Sequence, residues 1–205
     1  MSLLRCALPK GNNKAISKLF NQAGIPMSAI IDESRQYKIH ISDFEFILVK
    51  PKDVPTFVEF GAADIGIVGK DVLLEVKKEI IELLDLKTNE TELVILSSKD
   101  ELETVNIDVA TSYPNISTEY FKNKGIHAKN IILNGNLNLA FELQFADAIV
   151  DLITNKQDLQ SNSTFVDTIC KVSDRLIVNR ASYILKNAQI ESISSKLRKL
   201  IDNKA

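Results

Sequence analysis

The apolar positions along the chain switch repeatedly between the spacing of a strand and the spacing of a helix. Residues 3–8 form an apolar run that predicts a strand, and apolar positions within 15–23 then recur at helical spacing. Asn12 or Asn13 is expected to cap this helix, and Gly24 suits its C-terminal end. The chain therefore begins with a strand followed by a helix.

The same alternation continues to the end of the chain. Two β-rich runs, 35–41 and 44–49, are separated by two polar residues and predict a hairpin. Further strands are predicted near 65–68, 80–85, 91–97, 107–110, 131–133, 148–152, 165–172 and 175–178. Further helices are predicted from 53 and from 71, and at 114–124, 137–145 and 187–202. Strands that alternate with helices favour an α/β fold, and we expect mixed, mostly parallel sheets.

The composition is that of an ordinary globular protein. The 205 residues are 45% hydrophobic and 25% charged, with a formal net charge of −2, which excludes disordered, collagen-like and disulfide-scaffold classes. A near-neutral charge also argues against a nucleic-acid partner, since such proteins carry a basic face. The first residues lack the apolar stretch of a signal peptide, and no apolar run approaches the ~20 residues of a membrane span. We expect a cytoplasmic protein with no membrane partner.

The two cysteines, Cys6 and Cys170, lie far apart in sequence and both fall in apolar, strand-like runs. Two buried thiols in a reducing compartment are the simplest interpretation. A disulfide between them is the alternative.

Standard nucleotide and metal motifs do not fit the sequence. The segment 61–70 suggests a phosphate loop, but Asp71 follows its final Gly-Lys pair and Asp64 stands where a Walker sequence requires glycine. His40 and His127 have no Cys or carboxylate at metal-ligand spacing, so we expect both at the surface and assign no metal ligand.

Polar and charged residues follow four of the predicted strands. The carboxyl ends of parallel strands meet at one edge of a sheet, and cations or helix N-termini there suit an anion. Each loop alone is more often an ordinary turn, but the four together favour a site for an anionic small molecule. The loops are Pro9–Asn12, Lys50–Asp53, Asn134–Asn136, and Asp151 with the polar stretch 154–164.

Motifs spread over almost the whole chain resemble those of one enzyme family. The most specific is residues 53–71, with the sequence DVPTFVEFGAADIGIVGKD. Shorter matching motifs are Ala7–Gly11, Ala110–Asn115, Leu133–Gly135, Ala146–Asp151 and Leu176–Ser182. In these residues the sequence resembles the short form of ATP phosphoribosyltransferase, the first enzyme of histidine biosynthesis.

The resemblance implies a periplasmic-binding-protein-like fold of two lobes with a cleft between them. The first lobe would hold residues 1–90 and 175–205, and the second, 91–174, would carry the phosphoribosyl pyrophosphate loop. The implied reaction condenses ATP with phosphoribosyl pyrophosphate in the presence of Mg²⁺, as adenine N1 displaces pyrophosphate from the anomeric carbon. Because short forms lack a regulatory C-terminal domain, a histidyl-tRNA-synthetase-like regulatory subunit in a hetero-oligomer is also implied.

The resemblance assigns roles to individual residues. Asp151 would accept hydrogen bonds from the ribose hydroxyls, and it is expected to be catalytic together with Lys10. The residues expected to bind ATP or phosphate are Lys10, Gly11, Arg35, Lys50, Asp64, Asn134 and Gly135. The residues expected to bind phosphoribosyl pyrophosphate are Asp151, Asn155, Lys156, Gln157, Asp158 and Leu159. Arg35 has an alternative interpretation as a solvated strand charge, and Lys50 lacks the bidentate fork of the more usual arginine.

The departures from the family pattern are concentrated in the phosphoribosyl pyrophosphate loop. The family's Thr-Gly-x-Thr-Leu aligns with residues 155–159, so Lys156 replaces a glycine and Asp158 replaces a threonine. Lys156 resists the positive φ that glycine permits, and Asp158 brings a negative charge toward a phosphate. Further departures are Asn12 for an arginine, Asn138 for a glutamate and Gln144 for a glycine.

Three functions are compatible with these observations. The chain is a working ATP phosphoribosyltransferase with an unusual loop, or a binding or regulatory paralogue that keeps the fold without the reaction. The third is a transferase or ligand-binding protein with a different substrate. A secreted solute-binding protein shares the expected architecture, but the missing signal peptide counts against it.

Overall fold

The computed structural model describes residues 3–11, 13–27, 37–97, 106–155 and 163–203. The strands are β1 (Leu4–Pro9), β2 (Lys38–Ile41), β3 (Phe44–Val49), β4 (Ile65–Gly69), β5 (Ile81–Asp85), β6 (Thr91–Ser97), β7 (Ile107–Thr111), β8 (Ala128–Ile132), β9 (Ala148–Ile153), β10 (Thr164–Val172) and β11 (Asp174–Val178). The α-helices are α1 (Lys14–Gln22), α2 (Val54–Glu59), α3 (Lys70–Glu75), α4 (Pro114–Asn123), α5 (Leu139–Glu142), α6 (Arg180–Leu185) and α7 (Asn187–Asp202), and a 3₁₀ turn, Pro51–Asp53, precedes α2.

The chain divides into two compact units. The first unit comprises Met1–Asn89 and Ser173–Ala205, and the second comprises Glu90–Val172. The chain thus leaves the first unit once and returns to it.

The first unit is a six-stranded sheet with helices on both faces. Its strand order is β2-β3-β1-β4-β11-β5. Apolar residues of α1 and α7 pack on one face, around Phe20, Phe46 and Leu197. Residues of α2 and α3 pack on the other face, around Val58 and Val72. The apolar stripe of α7 therefore belongs to the core of its own unit.

The second unit is a five-stranded sheet, in the order β10-β6-β9-β7-β8. Phe121 of α4 packs on one face of this sheet and Phe141 of α5 packs on the other. β9, β7 and β8 run parallel to one another, while β6 and β10 are antiparallel to their neighbours. The carboxyl ends of three adjacent strands consequently meet at one edge.

The expected predominance of parallel pairing is wrong, although the α/β class and the mixed sheets are confirmed. Among the strand pairs of the described residues, four are parallel and five are antiparallel. The hairpin β2–β3 supplies one antiparallel pair, and the strands on either side of the two crossings, β5, β6, β10 and β11, supply the others. Periodicity reveals a strand but not its direction.

Several local predictions also need correction. Asn13 stands at the N-cap of α1, yet its side chain makes no capping hydrogen bond there. The helix predicted over 137–145 is confined to α5, and α6 was not predicted as a separate helix. The signal for α6 was present, because Asn179 caps it by accepting a hydrogen bond from the backbone N–H of Ser182 at 2.9 Å.

The remaining expectations concern surface and sulfur chemistry. His40 and His127 are both exposed, as expected. Neither Cys6 nor Cys170 forms a disulfide; Cys6 is buried and Cys170 is half-buried. In the described part of the chain, none of the helices is long and apolar enough to cross a bilayer.

Candidate functional site

Two lysines lie side by side at the carboxyl edge of the first sheet. Pro9 and Val49 are partners in the parallel β1–β3 pair, so Lys10 and Lys50 begin adjacent loops. The backbone N–H of Lys10 donates to the Val49 carbonyl at 2.7 Å and holds the two strand ends together. Both side chains are exposed, and within the described residues neither forms an ion pair. We call Lys10, Gly11 and Lys50 the first-unit edge.

The loop at Lys10 has space beside its backbone at Gly11. Gly11 has φ +128°, and, its two chain neighbours aside, no atom of the described residues lies within 4 Å of the position that a β-carbon would take there. Asn13 donates from Nδ2 to the Pro9 carbonyl at 2.8 Å, which fixes the turn between β1 and α1. The backbone can thus meet an anion closely at Gly11, in front of the first turn of α1.

An aromatic ring adjoins the same edge. The ammonium of Lys10 lies 4.7 Å from the centroid of the Tyr37 ring, which is a cation–π distance. Tyr37 precedes β2, and its carbonyl accepts from the backbone N–H of Leu48 at 2.9 Å. Tyr37 was predicted only as part of the strand 35–41, and no pattern in the sequence indicates that it lies beside Lys10.

The second unit gathers polar groups at a corresponding edge. Thr111 at the end of β7 is the partner of both Ile132 in β8 and Val150 in β9. The residues that follow are therefore neighbours, and the Ser112 hydroxyl donates to the Leu133 carbonyl at 2.6 Å. Gly135, with φ +132°, turns the chain toward α5 in an exposed loop. Asn134, Gly135 and Asp151 form the second-unit edge.

Asp151 is placed on the α5 side of the second sheet. Alternate residues of a strand share a face, and its neighbours two positions away, Ile149 and Ile153, belong to the cluster that contains Leu133 and Leu137. Burial raises the pKa of the Asp151 carboxyl, although its Oδ1 accepts from the Leu152 backbone N–H at 2.8 Å. This carboxylate is thus half-buried in β9, and β7 lies between it and β8, the strand that leads to Asn134.

Asp64 does not lie at either edge, which corrects its expected role in binding ATP or phosphate. It precedes β4 and contacts Arg5 near the start of β1, at the amino end of the first sheet, opposite Lys10. Only 1% of Asp64 is exposed, and its carboxylate accepts from Ser182 Oγ at 2.8 Å and Lys186 Nζ at 2.7 Å. Donors of the protein itself therefore occupy this carboxylate.

The other predicted site residues fall at or beyond the limits of the described chain. Asn155 is exposed and ends the described segment after β9. Arg35 and the segment 156–159 lie outside the described residues. Of the residues that are described, no cluster of three His, Cys, Asp or Glu side chains is arranged to hold a metal ion.

Comparison with known proteins assigns the chain to a family. The family model described as HisG, ATP phosphoribosyltransferase, matches residues 50–199. An ATP phosphoribosyltransferase of Clostridium acetobutylicum is 42% identical over 98% of this chain and 97% of its own length. The chain belongs to the ATP phosphoribosyltransferase family. The match includes the motif at 53–71 and extends over β4, β9 and β11.

Solved structures support the same assignment and the fold. The ATP phosphoribosyl transferase in the HisG:HisZ complex from Thermotoga maritima superposes with a TM-score of 0.85 at 29% identity, covering 98% of this chain and all of that one. The periplasmic aliphatic sulphonate binding protein from Escherichia coli has a TM-score of 0.59 at 12% identity, over 96% of this chain and 69% of its own. The second likeness shows the fold alone. The expected two-lobed, periplasmic-binding-protein-like class is confirmed.

Proposed function

We propose that this chain catalyses the first step of histidine biosynthesis, the condensation of ATP with phosphoribosyl pyrophosphate. Adenine N1 forms a bond to the ribose anomeric carbon as the bond from that carbon to pyrophosphate breaks. The products are N1-(5-phosphoribosyl)-ATP and pyrophosphate. The observation that carries this proposal is membership of the ATP phosphoribosyltransferase family over nearly the whole chain.

The second-unit edge is suited to the ribose phosphate. Asp151 can accept hydrogen bonds from the ribose hydroxyls, and its partly desolvated position strengthens such bonds. The Asn134 amide and the open backbone at Gly135 can donate to phosphate oxygens. The second unit is the lobe expected to hold phosphoribosyl pyrophosphate.

The first-unit edge is suited to polyphosphate. Lys10 and Lys50 present two ammonium groups from adjacent strand ends, and Gly11 allows close approach of an anion to the backbone. Negative charge builds up on the leaving pyrophosphate during the reaction. Fixed cations directed at the position where that charge develops lower the barrier.

Mg²⁺ is proposed as the metal of the reaction. When bound, it offsets the negative charge of the pyrophosphate group. Proteins commonly hold Mg²⁺ through one or two carboxylates together with substrate phosphates, so a cage of protein ligands is not required. Asp151 fits this pattern as a single carboxylate that can contact the ion or the ribose diol.

A regulatory partner is also proposed. The related Thermotoga maritima chain was solved as a HisG:HisZ complex, and it is covered in full by this chain. We infer that this chain works in a hetero-oligomer with a histidyl-tRNA-synthetase-like subunit. Assays of the proposed activity should therefore be run with and without that subunit.

The test is an absorbance assay for phosphoribosyl-ATP with ATP, phosphoribosyl pyrophosphate and Mg²⁺. Asp151→Asn should lower kcat/KM about 10- to 100-fold, because hydrogen bonds to a charged acceptor are worth about 1.5–3 kcal/mol. Asp108→Asn is the matched control, since that carboxylate in β7 is largely exposed and forms a surface ion pair with Lys129, at 3.5 Å. Equal rates in all three proteins would refute the role of Asp151, and no turnover even with the partner would refute the proposed function.

The alternative is a nucleotide-binding or regulatory paralogue that has lost the reaction. The departures at Lys156 and Asp158 favour it, because they fall in the loop expected to bind phosphoribosyl pyrophosphate. Calorimetry separates the two. Binding of ATP without binding of phosphoribosyl pyrophosphate, combined with no turnover, supports the paralogue.

A further inference from the structure

Tyr37, whose ring contacts Lys10, lies outside the family's motifs quoted above. The Tyr37 side chain is 66% exposed, so burial does not account for its position. Its backbone is nevertheless fixed, because the Tyr37 carbonyl accepts a hydrogen bond from Leu48 in β3. A surface aromatic ring on an anchored backbone thus stands next to a lysine of the first-unit edge.

The sheet order makes this contact informative. β3 lies between β1 and β2, and neighbouring strands are about 4.8 Å apart, so β1 and β2 are separated by roughly 10 Å. To reach Tyr37, the Lys10 side chain has to extend across the end of β3, which Lys50 follows directly in the chain. The Lys10 ammonium is thereby held on the side of β1 where Lys50 follows β3.

The chemical nature of the group beside Lys10 decides whether the lysine charge stays available to an anion. A carboxylate beside Lys10 would neutralise the ammonium and compete with a phosphate for it. The face of an aromatic ring attracts a cation through its quadrupole but carries no net charge. The ring can therefore order the lysine and leave its charge available to an anion.

We propose that Tyr37 is a positioning residue, whose ring holds the Lys10 ammonium extended over the end of β3 to meet a phosphate group of the substrate. This rests on the proposed function only in naming the ligand as a phosphate-bearing substrate. Ordering a long, flexible side chain before binding reduces the entropy lost on binding. Tyr37 thus contributes to anion affinity without touching the anion.

The test compares Tyr37→Leu, which removes the ring, with Tyr37→Phe, which keeps it. Inorganic pyrophosphate is the probe, and calorimetry on the full chain gives its Kd. An exposed cation–π contact predicts about two- to fivefold weaker binding for Tyr37→Leu and restored binding for Tyr37→Phe. Equal affinity of Tyr37→Leu and the unsubstituted chain overturns the proposal, as does a Tyr37→Phe protein as weak as Tyr37→Leu.

A double-mutant cycle separates positioning from a general structural effect. Lys10→Met removes the ammonium, so adding Tyr37→Leu to it should change the pyrophosphate Kd no further. A further loss of the same size in the Lys10→Met protein would show that Tyr37 acts by another route. Absence of pyrophosphate binding by the unsubstituted chain would overturn the proposal as well.

A readout independent of turnover distinguishes this inference from the proposed function. Protons on the Lys10 ε-carbon should show upfield ring-current shifts in NMR spectra of the unsubstituted chain and Tyr37→Phe, and lose them in Tyr37→Leu. If these shifts and the pyrophosphate results hold while no phosphoribosyl-ATP forms, the positioning role stands and the proposed function fails. If product forms but the shifts are absent, the function stands and the positioning role fails.

Discussion

Asp64 is buried at the amino end of the first sheet, where the surrounding donors outweigh the cost of burying its charge. Burial opposes its ionisation, but hydrogen bonds from Arg5, Lys186 and Ser182 lower its pKa to about 2. Removing one partner of a buried ion pair commonly costs about 3–5 kcal/mol, because the remaining charge is left uncompensated. In Asp64→Asn the Lys186 ammonium keeps its charge but loses the carboxylate that compensates it. The free energy of unfolding, measured in urea titrations, should therefore fall by about 3–5 kcal/mol. Asp108→Asn, on the surface, should change it little.

The pH dependence of stability should identify the same carboxyl. The pKa of Asp64 falls from an ordinary 3.8 to about 2 on folding, so the folded state favours the ionised form. Its contribution, about 2.5 kcal/mol, is present above the unfolded pKa and lost as the pH falls through the folded one. The stability difference between the unsubstituted chain and Asp64→Asn should therefore shrink between pH 4 and pH 2. A difference that stays constant across this range would contradict the assignment.

Two glycines, one aspartate and one tyrosine show how far the position of a single residue can be predicted from a sequence. Gly11 and Gly135 were expected in ligand loops, and both have the positive φ that glycine tolerates. Asp64 was misplaced because a motif does not say at which end of a sheet a residue lies. Tyr37 was missed because its partner is 27 positions away and two strands across the sheet.

The turn after α5 stores backbone strain. Gln144 has φ +55°, a left-handed conformation that costs a non-glycine residue roughly 1–2 kcal/mol. The family resemblance implies glycine at this position. Gln144→Gly should raise stability by about 0.5–1 kcal/mol, after allowance for the added freedom of the unfolded chain, and thermal unfolding would show it as a higher Tm. Gln144→Ala, which keeps a β-carbon, should give no gain, and an equal gain in both variants would rule out strain as the cause.

Whole elements were predicted where local pattern decides them. The hairpin β2–β3 and the helix α7 follow from alternation and from a helical apolar stripe, which tertiary contacts reinforce. Strand direction did not follow, since β5 and β11 look like other apolar strands yet run antiparallel to their neighbours. α6 was missed because its six residues expose Ile184 and Leu185 and so present no apolar stripe.

For the molecule as a whole, the family and the fold were readable in the sequence, while the site was readable only in part. Lys10 and Lys50 come together because the carboxyl ends of two adjacent parallel strands meet, and Asp151 and Asn134 share a sheet edge with one strand between them. To identify these residues as site residues required both the predicted strands and the resemblance to the ATP phosphoribosyltransferase family. The next question is whether residues 155–159 bind phosphoribosyl pyrophosphate.

That question has a direct test in the loop sequence. Lys156 stands where the family has a glycine, and Asp158 stands where it has a threonine that can donate to a phosphate. A carboxylate about 4 Å from a phosphate charge costs roughly 1 kcal/mol in water and about 4 kcal/mol at an intermediate dielectric. Lys156→Gly combined with Asp158→Thr should therefore tighten phosphoribosyl pyrophosphate binding at least about fivefold in calorimetry with Mg²⁺.

The controls separate loop shape from charge. The single variants Lys156→Gly and Asp158→Thr should each recover part of the gain, because one relieves the backbone and the other removes the repulsion. Asp108→Thr makes the same chemical change on the surface of β7 and should leave the affinity unchanged. If the double variant binds no more tightly than the unsubstituted chain, residues 155–159 do not form the phosphate loop. If it binds more tightly and also turns over faster, the drift in this loop limits an enzyme that is otherwise intact.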